Sequence, residues 1–179
     1  MRAILLPGIA ALALYGCATL VAAQAIQYES EWEKAQKELD WKEGEFTLPA
    51  VPAGKGLIEF YVSAVPGFNF FVDSQSISVG ADGVVRYAMI ARSSAGAETV
   101  SFEGIRCQSG IFKVYAFVSG EAWRRRNSDW RAIEPQGKVQ RWHNVLRDEY
   151  FCPKGFTIGT PAEGIDALRR GGHPTVRRF

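Results

Sequence analysis

The chain has 179 residues, of which 47% are hydrophobic and 22% charged, with a formal net charge of +2. That is an ordinary globular composition, and the sequence shows no low-complexity stretch or internal repeat. Two histidines and three cysteines, Cys17, Cys107 and Cys152, are too few for a Cys-ligated zinc site beside a disulfide.

The N-terminus runs from Arg2 to Glu29 without another charged residue. A span of that length could cross a bilayer, but Pro7-Gly8, Gly16 and many small residues interrupt it, so residues 1–25 read as a signal peptide. Val21-Ala22-Ala23 and Ala23-Gln24-Ala25 both suit a general signal peptidase and give a free mature chain from Gln24 or Ile26. Leu14-Tyr15-Gly16-Cys17 offers the alternative of lipidation at Cys17. The bulk of Tyr15 and the apolar stretch after Cys17 weigh toward the free form. The expected location is periplasmic or secreted, with a lipid anchor through Cys17 as the alternative. In either case Cys107 and Cys152 remain, and two thiols in an exported domain pair most simply as one disulfide.

About 155 residues remain after cleavage, the size of one domain with its own core. Residues 26–56 read as a helix and a Pro/Gly-rich linker, 57–158 as an antiparallel β domain with a packed helix, and 159–179 as a C-terminal helix with a basic tail. Ser30-Glu31-Trp32-Glu33 has capping-box spacing, and Glu33/Lys37 and Lys34/Glu38 pair four apart, predicting a helix over Glu31–Leu39. Trp32, Ala35 and Leu39 would form its inner face. Leu48 to Gly56 follows as a Pro/Gly-bearing connection.

From Leu57 the pattern becomes β. Runs at 57–62, 69–73, 76–79, 84–90, 99–107 and 111–117 are rich in β-branched and aromatic residues, and Gly80-Ala81-Asp82-Gly83 and Ser93-Ser94-Ala95-Gly96 supply turns. Such short connections leave no room for crossover helices, so the sheet is an antiparallel meander. Alternation places Val100, Phe102 and Gly104 on one face and Thr99, Ser101, Glu103, Ile105 and Cys107 on the other, unless a bulge at Gly104 inverts it. Trp142, Val145, Leu146 and Tyr150 recur at helical spacing until Pro153 and Gly155. Thr160-Pro161-Ala162-Glu163 caps a second helix that ends at Gly171-Gly172. The fold class is α+β: a compact antiparallel meander-like sheet with a short N-terminal helix and one or two C-terminal helices, stapled by one disulfide between a helix end and a strand end.

Trp41-Lys42-Glu43, Phe70-Phe71-Val72-Asp73, Ser76 through Tyr87, Phe102 through Cys107 and Phe151-Cys152-Pro153 together resemble the cryptic neisserial protein family, small exported bacterial proteins with a domain of unknown function. The resemblance covers about Trp41 to Gly155. It implies one exported domain and this cysteine pair, and it supplies no activity.

Catalytic candidates are few. His143 and Asp148, five apart, do not share a helix face at ligand spacing, so His143 is expected to be solvated or capping, and His173 in its Gly-Gly-His-Pro tail to be solvated. Asp73 and Asp82 suit turns. Gly80-Ala81-Asp82-Gly83 is no phosphate loop, because no Lys-Ser/Thr and no helix follow. No catalytic constellation, cofactor or metal site is expected.

Charge is uneven: Ile26 to Ala122 carries eight Lys and Arg against thirteen Asp and Glu, and Trp123 to Phe179 carries twelve against six. Either the two halves neutralise one another or the basic half meets an acidic partner. The least ordinary stretch is Trp123, Arg124, Arg125, Arg126, Trp130 and Arg131, with Arg141 beyond. Arginines beside tryptophans suit lipid headgroups, anionic glycans or acidic protein surfaces. Nucleic acid uses the same contacts, but an exported chain is not expected to meet it. The simpler reading keeps the tryptophans as anchors of an irregular loop and the arginines solvated or paired. The expected function is therefore that of a non-enzymatic envelope binding or structural module, with an envelope hydrolase of dispersed site as the alternative.

Overall fold

The computed structural model describes residues 30–63, 65–134 and 141–176. The expected signal peptide and Cys17 lie outside the described residues. Helix α1 (Glu31–Leu39) begins as the spacing predicts: Ser30 accepts from the Glu33 amide, and the Glu33 carboxylate accepts from the Ser30 amide. Its expected inner face is a different matter. Trp32 and Leu39 are 70% and 78% exposed, and the Ala35 side chain lies outside the described residues. The helix is tied to the sheet mainly through Glu38, which receives a bidentate Arg106 guanidinium. Apolar packing passes to Trp41, whose ring lies under that same guanidinium at 4.1 Å.

Eight strands form one antiparallel sheet: β1 (Leu57–Phe60), β2 (Phe68–Asp73), β3 (Ser78–Val79), β4 (Val84–Ser93), β5 (Glu98–Arg106), β6 (Ile111–Ser119), β7 (Ala122–Arg125) and β8 (Arg131–Ala132). The main order is β1-β2-β4-β5-β6-β7. β3 extends the β2 edge along the start of β4, and β8 pairs with the start of β6 while β7 pairs with its end. Strands β7 and β8 correct the expectation of an irregular loop. Gly120, at φ +65°, turns the chain tightly enough for Ala122 to pair with Ser119, so the arginine run enters the ladder.

The predicted alternation of β5 holds. Ser101, Glu103, Ile105 and Cys107 share one face, with Phe102 and Gly104 on the other. The bulge lies on β6: Phe102 pairs with Ala116 and Glu103 with Val114, which leaves Tyr115 as the extra residue. Tyr115 and Ala116 therefore both serve the face of Phe102. Gly104 allows this, since a Cβ there would sit 2.8 Å from the Tyr115 hydroxyl and 2.9 Å from Val84.

Each face of the sheet has its own cover. The first is packed by α2 (Arg141–Val145), a π-helical turn (Leu146–Phe151), a 3₁₀ turn (Pro153–Gly155) and α3 (Pro161–Arg169). The helix expected through Tyr150 thus changes register after Val145, and the wider turn buries Leu146, Tyr150 and Phe151 together against Tyr87 and Phe60. The Cys107–Cys152 disulfide joins the end of β5 to the end of this turn across 45 residues. The second face is covered by an extended strap from Trp41 to Pro49. This is the segment whose second half, with its Pro/Gly-rich continuation, reads in sequence as a linker. Phe46 and Leu48 pack there on Phe102, Tyr115 and Ala116.

Candidate functional site

The strap is held by ionic and indole contacts that begin at the β3–β4 turn. Asp82 accepts from the Val84 amide, as a turn aspartate should, and also from the Gly44 amide and the Arg86 guanidinium at 2.6 Å. Arg86, opposite Gly104 in register, is buried beneath Phe46 at 4.9 Å. Burial alone would raise the Asp82 pKa, but the Arg86 hydrogen bond and the two amides outweigh it and hold the carboxyl below its usual range. Lys113 binds Glu43 at 2.7 Å, and the indoles of Trp41 and Trp123 donate to the carbonyls of Asp82 and Pro49. Asp73 fulfils its expected turn role by accepting from the Gln75 amide.

The helical face carries a polar cluster that sequence reading missed. Glu103 is fully buried and accepts from Ser101 at 2.6 Å, His143 at 2.8 Å, Trp142 at 3.2 Å and Tyr87 at 3.3 Å. His143 is 1% exposed, which corrects the expectation of a solvated or capping residue. Its partner lies 40 positions earlier on β5, so no helical spacing within 142–150 could have indicated the pair. Burial pushes the Glu103 carboxyl up, and the His143, Ser101 and Trp142 donors more than reverse this, leaving it below 4.5. Against the same carboxylate, the Tyr87 hydroxyl is pushed well above its usual value by burial and by that charge. His173 is likewise buried, bonding Glu163 at 2.9 Å and Thr175 at 2.8 Å. Glu163 also accepts from the Gly159 amide, which extends the Thr160 cap.

Rings cross this face in a row. Phe68 stacks on Phe70, Phe70 on Trp142 at 5.6 Å, Trp142 contacts His143 at 5.0 Å, and His143 stacks on Phe112 at 3.8 Å. Trp142 and His143 bring this row onto α2. Beside the row the sheet is open, and a cavity of about 300 Å³ is lined by Phe70, Met89, Ala91, Val114, Phe117 and Trp142, with Ser101 and Glu103 among its wall residues.

The Arg/Trp stretch is divided by the sheet. Trp123 and Arg125 face the strap, where Arg125 lies 5.8 Å from the Phe46 ring. Arg124 takes the opposite face, in register with Phe117, and Arg126 lies 5.7 Å from the Phe117 ring. Trp130 meets Trp41 and Tyr115 edge-on, so both tryptophans do anchor the segment. Arg131, on β8, lies 5.9 Å from Phe112, and Arg141 is half-buried at the start of α2.

Among the described residues the Lys and Arg ion pairs fall within each half of the chain. Arg86, Arg92, Arg106 and Lys113 pair with carboxylates of the first half, while Arg147, Arg170 and His173 pair with carboxylates of the second. Between the halves, His143 meets Glu103 at 2.8 Å. Arg124, Arg125, Arg126, Arg131 and Arg141 have no carboxylate partner among the described residues. No group of three or more His, Cys, Asp or Glu among them could hold a metal ion, and no described helix is long and apolar enough to cross a membrane.

No curated protein and no solved structure matches the chain. A family model matches residues 36–169, which takes in the strap, the strands, the disulfide and α3. The chain belongs to the CNP1-like family, a family of unknown function.

Proposed function

We propose that the protein is an exported bacterial envelope component that acts as a non-enzymatic binding module, holding an anionic partner on the basic strip of Arg124, Arg125, Arg126 and Arg131. That these arginines have no carboxylate partner among the described residues carries the reading. Arg86, Arg92 and Arg106 of the first half each meet a carboxylate, whereas Arg125, Arg126 and Arg131 rest near aromatic rings and leave their N–H forks for an outside acceptor. Export is supported by the leader and by the disulfide, which persists in oxidising compartments. A hydrolase would need a nucleophile in reach of a base. Ser101 and His143 bond opposite oxygens of Glu103, which positions them as supports for a carboxylate and not as a nucleophile–base pair.

The test is co-sedimentation of the mature chain with vesicles containing phosphatidylglycerol, alongside binding to an anionic glycan and to envelope extract. Binding to at least one should weaken steeply with salt and be mostly lost when Arg124, Arg125 and Arg126 become Ala. A triple variant that binds all three as wild type does would overturn the basic-surface proposal.

A further inference from the structure

We propose that the apolar cavity beside the aromatic row binds the chain of a fatty acid, with its carboxylate at Arg124 and Arg126. This rests on the anionic-partner reading above and names a ligand for it. Met89, Ala91, Val114 and Phe117 lie on the part of the sheet face that the helices leave open, with Phe70 and Trp142 closing one side. Phe68, a further wall residue, is 47% exposed, so the apolar surface continues outward. A volume of about 300 Å³ lies at the lower end of small-molecule sites and is matched to a slender apolar body.

The polar groups set the orientation. At one end stands Glu103, whose oxygens already accept from Ser101, Tyr87, Trp142 and His143. It offers no donor to an anionic head and repels it. Phe117 marks the other end, with Arg124 opposite it in register and the Arg126 guanidinium 5.7 Å from its ring, both without a carboxylate partner among the described residues. A ligand with one apolar chain and one anionic head puts its charge at the arginines and away from Glu103, whereas a cationic head would be repelled by the arginines and a uniformly polar ligand would leave the apolar walls unmatched.

The experiment follows a dansyl-labelled medium-chain fatty acid on the mature protein, displaced by unlabelled laurate or by its uncharged methyl ester. Laurate should displace the probe, and the ester should do so about tenfold less well. Joint replacement of Arg124 and Arg126 by Ala should remove that difference by weakening laurate alone. Ala91→Phe, which fills the cavity, should abolish probe binding, and Thr99→Phe in the same wall serves if Ala91→Phe does not fold. Failure of laurate to displace the probe, wild-type binding by the filled variants, or equal displacement by acid and ester would each overturn the site. Vesicle binding by the folded filled variant reads the broader proposal separately: retention leaves the basic surface standing even where the cavity fails.

Discussion

The two faces of the sheet are covered by segments held in opposite ways. The helical cover is fastened by apolar packing, one disulfide and a buried His143–Glu103 contact, and Phe151, Tyr150 and Leu146 are fully shielded. The strap has no secondary structure of its own and no covalent tie. The Gly44 amide on Asp82, Lys113–Glu43 and two indole-to-carbonyl bonds secure it. An extended segment cannot satisfy its backbone internally, so it borrows donors and acceptors from the sheet, whereas a helical segment brings its own and needs chiefly an apolar seat. Both covers meet a buried carboxylate, but Glu103 is served by four side chains and Asp82 by one arginine and two amides.

Breaking the disulfide gives the largest expected effect. The Cys107→Ser/Cys152→Ser pair should cost about 4 kcal/mol by the loop-entropy relation, read as a lowered guanidinium midpoint, and should expose the 146–155 segment to proteolysis while the strap stays protected. Asp82→Ala should cost about 3 kcal/mol, because it leaves the Arg86 guanidinium buried with Glu43 at 3.8 Å and the long Gly44 carbonyl contact at 3.5 Å. The strap should then become sensitive to trypsin at Lys42 before the helical cover loosens. Acid is the reversible form of that break. Asp82, Glu43 and Glu103 are held below their ordinary values of 3.8, 4.5 and 4.5, so their stabilisation is fully present above those values and is lost as pH falls through the lowered ones. Thermal unfolding should be flat from neutrality to about pH 5 and fall below pH 4, and Asp82→Ala should blunt that fall.

Smaller changes sharpen the contrast. Trp123→Phe removes the bond to the Pro49 carbonyl and should cost about 1 kcal/mol, with faster amide exchange in the second half of the strap and none in α3. Ser30→Ala should cost about 0.5 kcal/mol of α1 stability, seen as exchange within Glu31–Leu39, with the melting temperature of the sheet unchanged.

Much of the architecture was legible because it depends on local pattern. The α1 and α3 caps, the six principal strands and the turn roles of Asp73 and Asp82 arise from neighbours a few positions apart. Even the faces of β5 could be read, since alternation is fixed by the pleat and the one bulge fell on β6. The exposed Trp32 and Leu39 show the limit, because helical periodicity places side chains on a stripe without saying whether anything covers it. The arginine run was visible as composition, yet β7 was not: Gly120 and pairing with β6 make it a strand, and pairing then sends Arg124 and Arg125 to opposite faces.

The sequence by itself determined an antiparallel sheet with capped helices, a cysteine pair and a cluster of arginines among tryptophans, since each follows from residue type and short spacing. Only the tertiary structure decided that Glu103 and His143 meet, that the segment before Pro49 is a cover, and that among the described residues the β7 and β8 arginines lack carboxylates while Arg86, Arg92 and Arg106 have them. These depend on contacts between positions about 40 to 74 apart, such as His143 with Glu103 and Trp123 with Pro49, and long-range pairing leaves no trace in local periodicity.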